Sequence, residues 1–234
     1  MPPDLSADGH RIDHLLRVTL GLTGALAAVF LVALGYLVHR ARQRAREATP
    51  AAPPSPAAAV SLGLALLVFA VIDLTLATRS RRATLGPPPP DALRIEVVAQ
   101  QWAWRFRYAG ADDLFGTADD VVTLNDLRMP VGRAVSLQVR SLDVAHGFFL
   151  PMLRARADVW PGRTGRTWFR PAREGRSELA CAALCGAGHY QMRAEVTVLS
   201  GEQYAAWMGA LVDDQRRRAT AGAIASSGAW TWAP

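Results

Sequence analysis

The sequence predicts an all-β sandwich carried behind a two-helix membrane hairpin. Three observations predict it. Two long apolar stretches, Leu15 to Val38 and Ala57 to Ala77, lie in the first third of the chain. Gly86 and the run Pro87 to Pro90 follow, a composition that makes a stiff, extended spacer. From Asp91 to Ser200 the pattern changes to short runs of period two with turn residues between them, the signature of strands in an antiparallel sandwich or barrel.

Each element follows in order. Residues 1–14 are polar and read as a flexible tail. Residues 15–38 are broken only by Arg17, Thr19, Thr23 and small residues, and exceed the roughly 20 apolar residues that a membrane helix needs. A cleavable signal peptide is the competing reading. The stretch is long for one, and His39, Arg40, Arg42, Arg44 and Arg46 follow it without a cleavage-like site. No cysteine lies nearby, which excludes a lipoprotein anchor. Residues 47–56 are rich in Ala and Pro and read as a loop. The second helix, 57–77, contains one acid, Asp73. An intramembrane carboxylate is a functional candidate by default; the alternative is a partner near the interface, such as Arg79 or another helix. The four arginines of the loop place it in the cytoplasm, against three after the second span, Arg79, Arg81 and Arg82. Hairpin 15–82, linker 83–90, sandwich 91–200, a C-terminal amphipathic helix 201–214 and a disordered tail 215–234 complete the organisation.

All 26 basic residues are Arg, and the net charge is +6. The Arg clusters flank apolar segments, so nucleic acid is excluded as a partner. Within the sandwich, Leu93, Ile95 and Val97 alternate with Arg94 and Glu96. Trp102, Trp104, Phe106 and Tyr108 alternate with Ala103, Arg105 and Arg107. On one strand Trp102 and Trp104 point the same way; one belongs in the core, and the other suits a contact with a docking partner. Asp112, Asp113, Asp119 and Asp120 read as a solvated hairpin tip, with partner steering or a weak calcium loop as alternatives.

The chemistry concentrates in one stretch. The chain has two cysteines, and both lie in Cys181-x3-Cys185-x3-His189-x2-Met192. Soft thiolate and thioether with imidazole are what copper selects. Gly186 and Gly188 disfavour a helix here, so the stretch reads as a loop between strands wrapped around an ion. After residue 90 the only other histidine is His146, a second imidazole for the same centre. A disulfide between Cys181 and Cys185 and a zinc site of both cysteines with His146 and His189 are the competing readings. Met192 weighs against zinc, because thioether is a poor zinc ligand. A mononuclear blue-copper site needs one cysteine, and two suggest bridging thiolates with two copper ions.

These pieces together resemble subunit II of haem-copper terminal oxidases, the cytochrome c oxidase family. The resemblance covers residues 15–212 and rests on the hairpin, Gln101-Trp102-x-Trp104, Asp143-Val-Ala-His146, Pro161-Gly-Arg163 and the 181–192 loop. It implies a cupredoxin-like Greek-key sandwich that holds the dinuclear copper centre CuA on the extracytoplasmic side of a bacterial-type plasma membrane. Cys181 and Cys185 would bridge both coppers, and His146 and His189 would ligate one each. Met192 and the backbone carbonyl of Ala183 would be axial ligands. Trp102 would be the electron-entry residue beneath docked cytochrome c, passing electrons towards haem in subunit I, which reduces oxygen. The family usually has Glu where this chain has Ala183, so its magnesium site at the subunit I interface is in doubt. The family's acidic residue at the start of the second helix is also without a match. No Cys-x-x-Cys-His occurs, so no covalent haem c is expected. A copper carrier for another reductase such as nitric-oxide reductase, a copper-delivery module and a metal-free subunit remain alternatives.

Overall fold

The computed structural model describes residues 2–46, 56–110, 112–117 and 119–220. These fall into two compact units: residues 11–83, and residues up to 10 together with those from 84 onward.

The first unit is built from α1 (Gly9–Arg46) and α2 (Pro56–Leu85). Both outrun the apolar stretches that predict them, because the flanking polar residues continue the helix. Gly9–Arg44 and Val60–Thr78 are long and apolar enough to cross a membrane; even the shorter spans about 28 Å at 1.5 Å per residue. Leu31, Val32, Leu67 and Leu74 are exposed on them, as suits a helix surrounded by lipid. Asp73 has its partner on the other helix: Thr19 Oγ1 donates to its Oδ1 at 2.9 Å. The side chains of Arg79, Arg81 and Arg82, and the Ala/Pro loop at 47–55, lie outside the described residues.

The second unit is a sandwich of ten strands. They are β1 (Leu93–Gln100), β2 (Ala103–Tyr108), β3 (Val121–Leu124), β4 (Asp126–Pro130), β5 (Val135–Ser141), β6 (His146–Leu150), β7 (Ala155–Val159), β8 (Gly165–Phe169), β9 (Gly175–Cys181) and β10 (Arg193–Leu199). One sheet has the order β3-β2-β1-β5-β8, the other β4-β10-β9-β6-β7. The chain changes sheets repeatedly, a cupredoxin-like arrangement. Alternate residues face inward, among them Ile95, Val97 and Ala99 from β1, Trp104 and Phe106 from β2, and Val196 and Val198 from β10. The sheets are mixed and not antiparallel throughout. β1 pairs parallel with β5, and β4 with β10. Strands that follow a sheet change are free to pair in either sense, since no tight hairpin joins them.

Three segments depart from the sequence reading. The N-terminal residues form a strap on the sandwich. Leu5 donates its N–H to Met152 O and accepts from Ala172 N, and Ala7 N donates to Arg170 O. The Leu5 side chain joins the core at 7 % exposure. Ser6 Oγ then accepts the Gly9 N–H, a capping bond for α1. Leu5→Ala is expected to cost roughly 2 kcal/mol, read as a lower thermal midpoint and faster proteolysis before Gly9. At the other end α3 (Gly201–Thr220) runs past the expected residue 214, helped by the i,i+3 pairs Asp213–Arg216 and Asp214–Arg217. Trp207 docks it edge-on against Tyr108 at 5.3 Å. Residues 215–220 of the expected disordered tail are thus helical, and the remainder, from 221, lies outside the described residues.

The acidic stretch is only partly a solvated tip. Asp113 pairs with Arg94 at 3.3 Å. Asp120 is buried, accepts the Gly116 N–H and pairs with Arg107.

Candidate metal centre

The centre lies at one end of the second sheet, where β9 delivers Cys181 and β6 delivers His146. Cys181 N donates to Met192 O, which closes the base of the 181–192 loop. Ala182 N donates to Gly147 O and ties the loop to β6. That approach needs a glycine: a Cβ on residue 147 would lie 2.9 Å from the Ala182 carbonyl carbon and Ala183 N. Beyond Gly188 the chain makes a short 3₁₀ turn over His189–Gln191. Residues three apart eclipse in such a turn, so His189 and Met192 both reach Cys185.

The predicted donors converge. Cys181 Sγ lies 3.8 Å from Cys185 Sγ, 3.9 Å from His146 Nδ1 and 3.2 Å from the Ala183 carbonyl oxygen. Cys185 Sγ lies 3.6 Å from His189 Nδ1 and 3.8 Å from Met192 Sδ. Both cysteines are free thiols. His146, Cys185 and Met192 are buried, while Cys181, Ala183 and His189 are half-buried. Among the described residues, His146, Cys181 and Cys185 form the cluster able to hold a metal ion.

Electrostatics favour a cation. Burial, reinforced by the Cys181 sulfur beside it, pushes the Cys185 thiol up to about 11. Two adjacent thiolates, one buried and one half-buried, therefore need positive charge between them. Asp143 accepts from His146 Nε2 at 2.9 Å. A carboxylate there keeps the proton on Nε2, so the Nδ1 lone pair faces the sulfurs. Burial acts to raise the Asp143 carboxyl, but bonds from Gln101 N, His146, Val144 N and the Ser141 hydroxyl outweigh it and hold it below the ordinary aspartate range. Two thiols, a thioether, two imidazoles and a carbonyl make a soft set that fits copper, and a buried thioether has little to offer zinc.

The two tryptophans part company. Trp104 is fully buried and packs edge-on to His146, with ring centroids 6.1 Å apart. Trp102 is not on the strand with it; it sits in the turn between β1 and β2 and is 42 % exposed. A Cβ on Gly188 would fall 2.4 Å from Trp102 Cδ2, so the indole lies against bare backbone next to His189. Sequence reasoning missed the role of Gln101. Its N–H donates to Asp143 Oδ2 at 2.6 Å, and its side-chain amide donates to Cys185 O at 2.7 Å. The partners lie 42 and 84 residues away, so no local pattern announces them. Asp143, three residues before His146, carries a weak signal: an acid at that spacing can reach the ring.

With this geometry in place, comparison with known proteins is decisive. Residues 93–199 match the family model described as cytochrome c oxidase subunit II, periplasmic domain. The alternative cytochrome c oxidase subunit 2 of Bradyrhizobium diazoefficiens is 33% identical over 221 residues, which cover 84% of this chain and 79% of that one. The chain belongs to the cytochrome c oxidase subunit 2 family. The haem-copper oxidase subunit 2 of Aeropyrum pernix is 33% identical over 140 residues, 59% of this chain and 55% of that one. The chain thus spans about half the length of this second relative. Among solved structures, the periplasmic domain of oxidase subunit II from Bradyrhizobium japonicum aligns with a TM-score of 0.48 and 26% identity, covering 54% of this chain and 97% of that domain. Subunit 2 of a haem-copper oxidase is part of an oxidoreductase complex, and the two apolar helices make this one membrane-anchored.

Proposed function

We propose that this subunit is the electron-entry subunit of a haem-copper terminal oxidase and holds a dinuclear CuA centre. The Cys181 and Cys185 thiolates with the His146 and His189 imidazoles would hold the copper pair, and Met192 and the Ala183 carbonyl would be its weaker ligands. The observation that carries this reading is the convergence of all six donors, each within 3.9 Å of a sulfur of the cysteine pair. A bound copper pair supplies a one-electron acceptor whose charge is shared over two ions, so bond lengths change little. The residues of this chain do the rest. Asp143 fixes the His146 tautomer, and the β scaffold and the Gly147 contact hold the sulfurs in place. Trp102 presents an exposed indole to cytochrome c, from which electrons pass to haem in subunit I. Ala183 has no carboxylate for a magnesium ion, and none is assigned to it.

The copper domain belongs outside the cytoplasm. Leu5 and Ala7 bond to the sandwich, so the chain before α1 and after α2 lies in one compartment, opposite the C-terminal end of α1 that carries Arg40, Arg42 and Arg44. Full-length subunit purified with copper is expected to hold two copper ions per chain and to give a delocalised mixed-valence EPR signal. Zinc, or one copper with a localised signal, defeats the reading. Trp102→Phe is expected to slow oxidation of reduced cytochrome c on the order of tenfold and to leave the copper spectrum unchanged. An unchanged rate removes Trp102 from the path.

A further inference from the structure

Trp102 is a large, exposed side chain on a turn, a setting in which a ring ordinarily samples several rotamers. Yet its place against the copper loop is bracketed from both sides. The peptide before it is anchored to β5–β6 through Gln101 N and Asp143 Oδ2, and Asp143 Oδ1 continues to His146 Nε2. The Gln101 amide reaches the other half of the centre at Cys185 O. The glycines complete the seat: a Cβ on Gly186 would meet Gln101 Nε2 at 2.7 Å, and one on Gly188 would meet the indole at 2.4–2.8 Å.

We propose that Gln101 and Asp143 are positioning residues that hold the Trp102 indole on the Gly186–Gly188 backbone and so fix the gap an electron crosses on entry. The proposal deepens the electron-entry reading of Trp102 and rests on it. Chemistry restricts both positions. The groups around the Asp143 carboxylate are donors, with Gln101 N–H on Oδ2 and the Val144 N–H, the His146 imidazole and the Ser141 hydroxyl on Oδ1, so both of its oxygens must accept. Asparagine can satisfy only one. At position 101 the side chain must donate to a carbonyl, which methionine, of similar length, cannot do.

The test uses the full-length chain in detergent, metal-free and labelled with 5-fluorotryptophan, with the Trp102 resonance assigned by its loss in Trp102→Phe. Gln101→Met and Asp143→Asn are each expected to shift that resonance towards solvent-exposed indole. In the assembled oxidase, Gln101→Met is expected to lower kcat with reduced cytochrome c by roughly tenfold, with KM and the copper EPR signal unchanged. A resonance unmoved in both variants overturns the proposal. So does a change in KM alone, which would make Gln101 a docking contact. If the resonance moves but Trp102→Phe oxidase turns over at the normal rate, the bracket stands and the entry-point reading falls. Should Gln101→Met not fold, Asp143→Asn still decides through the resonance.

Discussion

Cys185→Ser is expected to abolish the mixed-valence copper signal and to reduce copper to at most one ion per chain. The reason is local. The chain has two cysteines, and a serine hydroxyl does not ionise near neutral pH to bridge two ions. His146 approaches Cys181, while His189 and Met192 approach Cys185. Removing the Cys185 sulfur therefore strips the centre of the donor that joins those two ligands to the rest. The sandwich is expected to survive. Cys185 lies in a loop closed at its base by the Cys181–Met192 main-chain bond, which needs no thiol. The buried hydroxyl would cost about 1–3 kcal/mol where it lacks a partner, a modest drop in thermal midpoint. Metal analysis, EPR and a melting curve on one preparation separate the effects. Retention of two coppers with a delocalised signal would remove Cys185 from the bridge. Met192→Leu makes the contrast: volume is kept and only the thioether is lost, so the signal is expected to persist in altered form.

The convergent donor set was legible because its residue types are scarce and its spacing is short. Two cysteines, a histidine and a methionine within twelve residues leave few arrangements. His146 was found by elimination, as the other histidine after residue 90. The hairpin and strands followed from composition and from period-two runs. What escaped are contacts that depend on long-range topology. Polar composition made residues 1–14 look flexible, yet one apolar residue among them, Leu5, finds a place in the core. Alternation put both tryptophans on one strand, but the β1–β2 turn takes up Trp102 and leaves Trp104 alone in the core. Parallel pairing of β1 with β5 and of β4 with β10 leaves no local trace, because each strand reads the same whatever the direction of its neighbour.

Arg107→Met is expected to be the most destabilising single change outside the hydrophobic core. Glu96 and Arg107 sit directly opposite each other on β1 and β2, on the face turned away from the inter-sheet core. The alternating pattern identifies that face but not its cover. In the structure Arg107 is 4 % exposed, bonded to Glu96 and paired with Asp120 at 3.4 Å, with the Phe115 ring over its guanidinium at 5.3 Å. Phe115 and Asp120 thus close over a buried ion cluster. Removing a cation paired with both acids deprives two buried carboxylates of a shared partner, at about 3–5 kcal/mol. For a domain of this size that lowers the midpoint by about 10 °C. Arg107→Met combined with Glu96→Gln and Asp120→Asn is expected to recover much of the loss, since the penalty lies in uncompensated charge. If the triple variant is no more stable than Arg107→Met, packing and not charge sets the cost. The cluster also bears on the proposed electron entry. A one-residue slip between β1 and β2 would turn every side chain to the other face. By fixing Glu96 opposite Arg107, the ion pair fixes which residues form the turn, and hence that Gln101 and Trp102 stand beside the 181–192 loop.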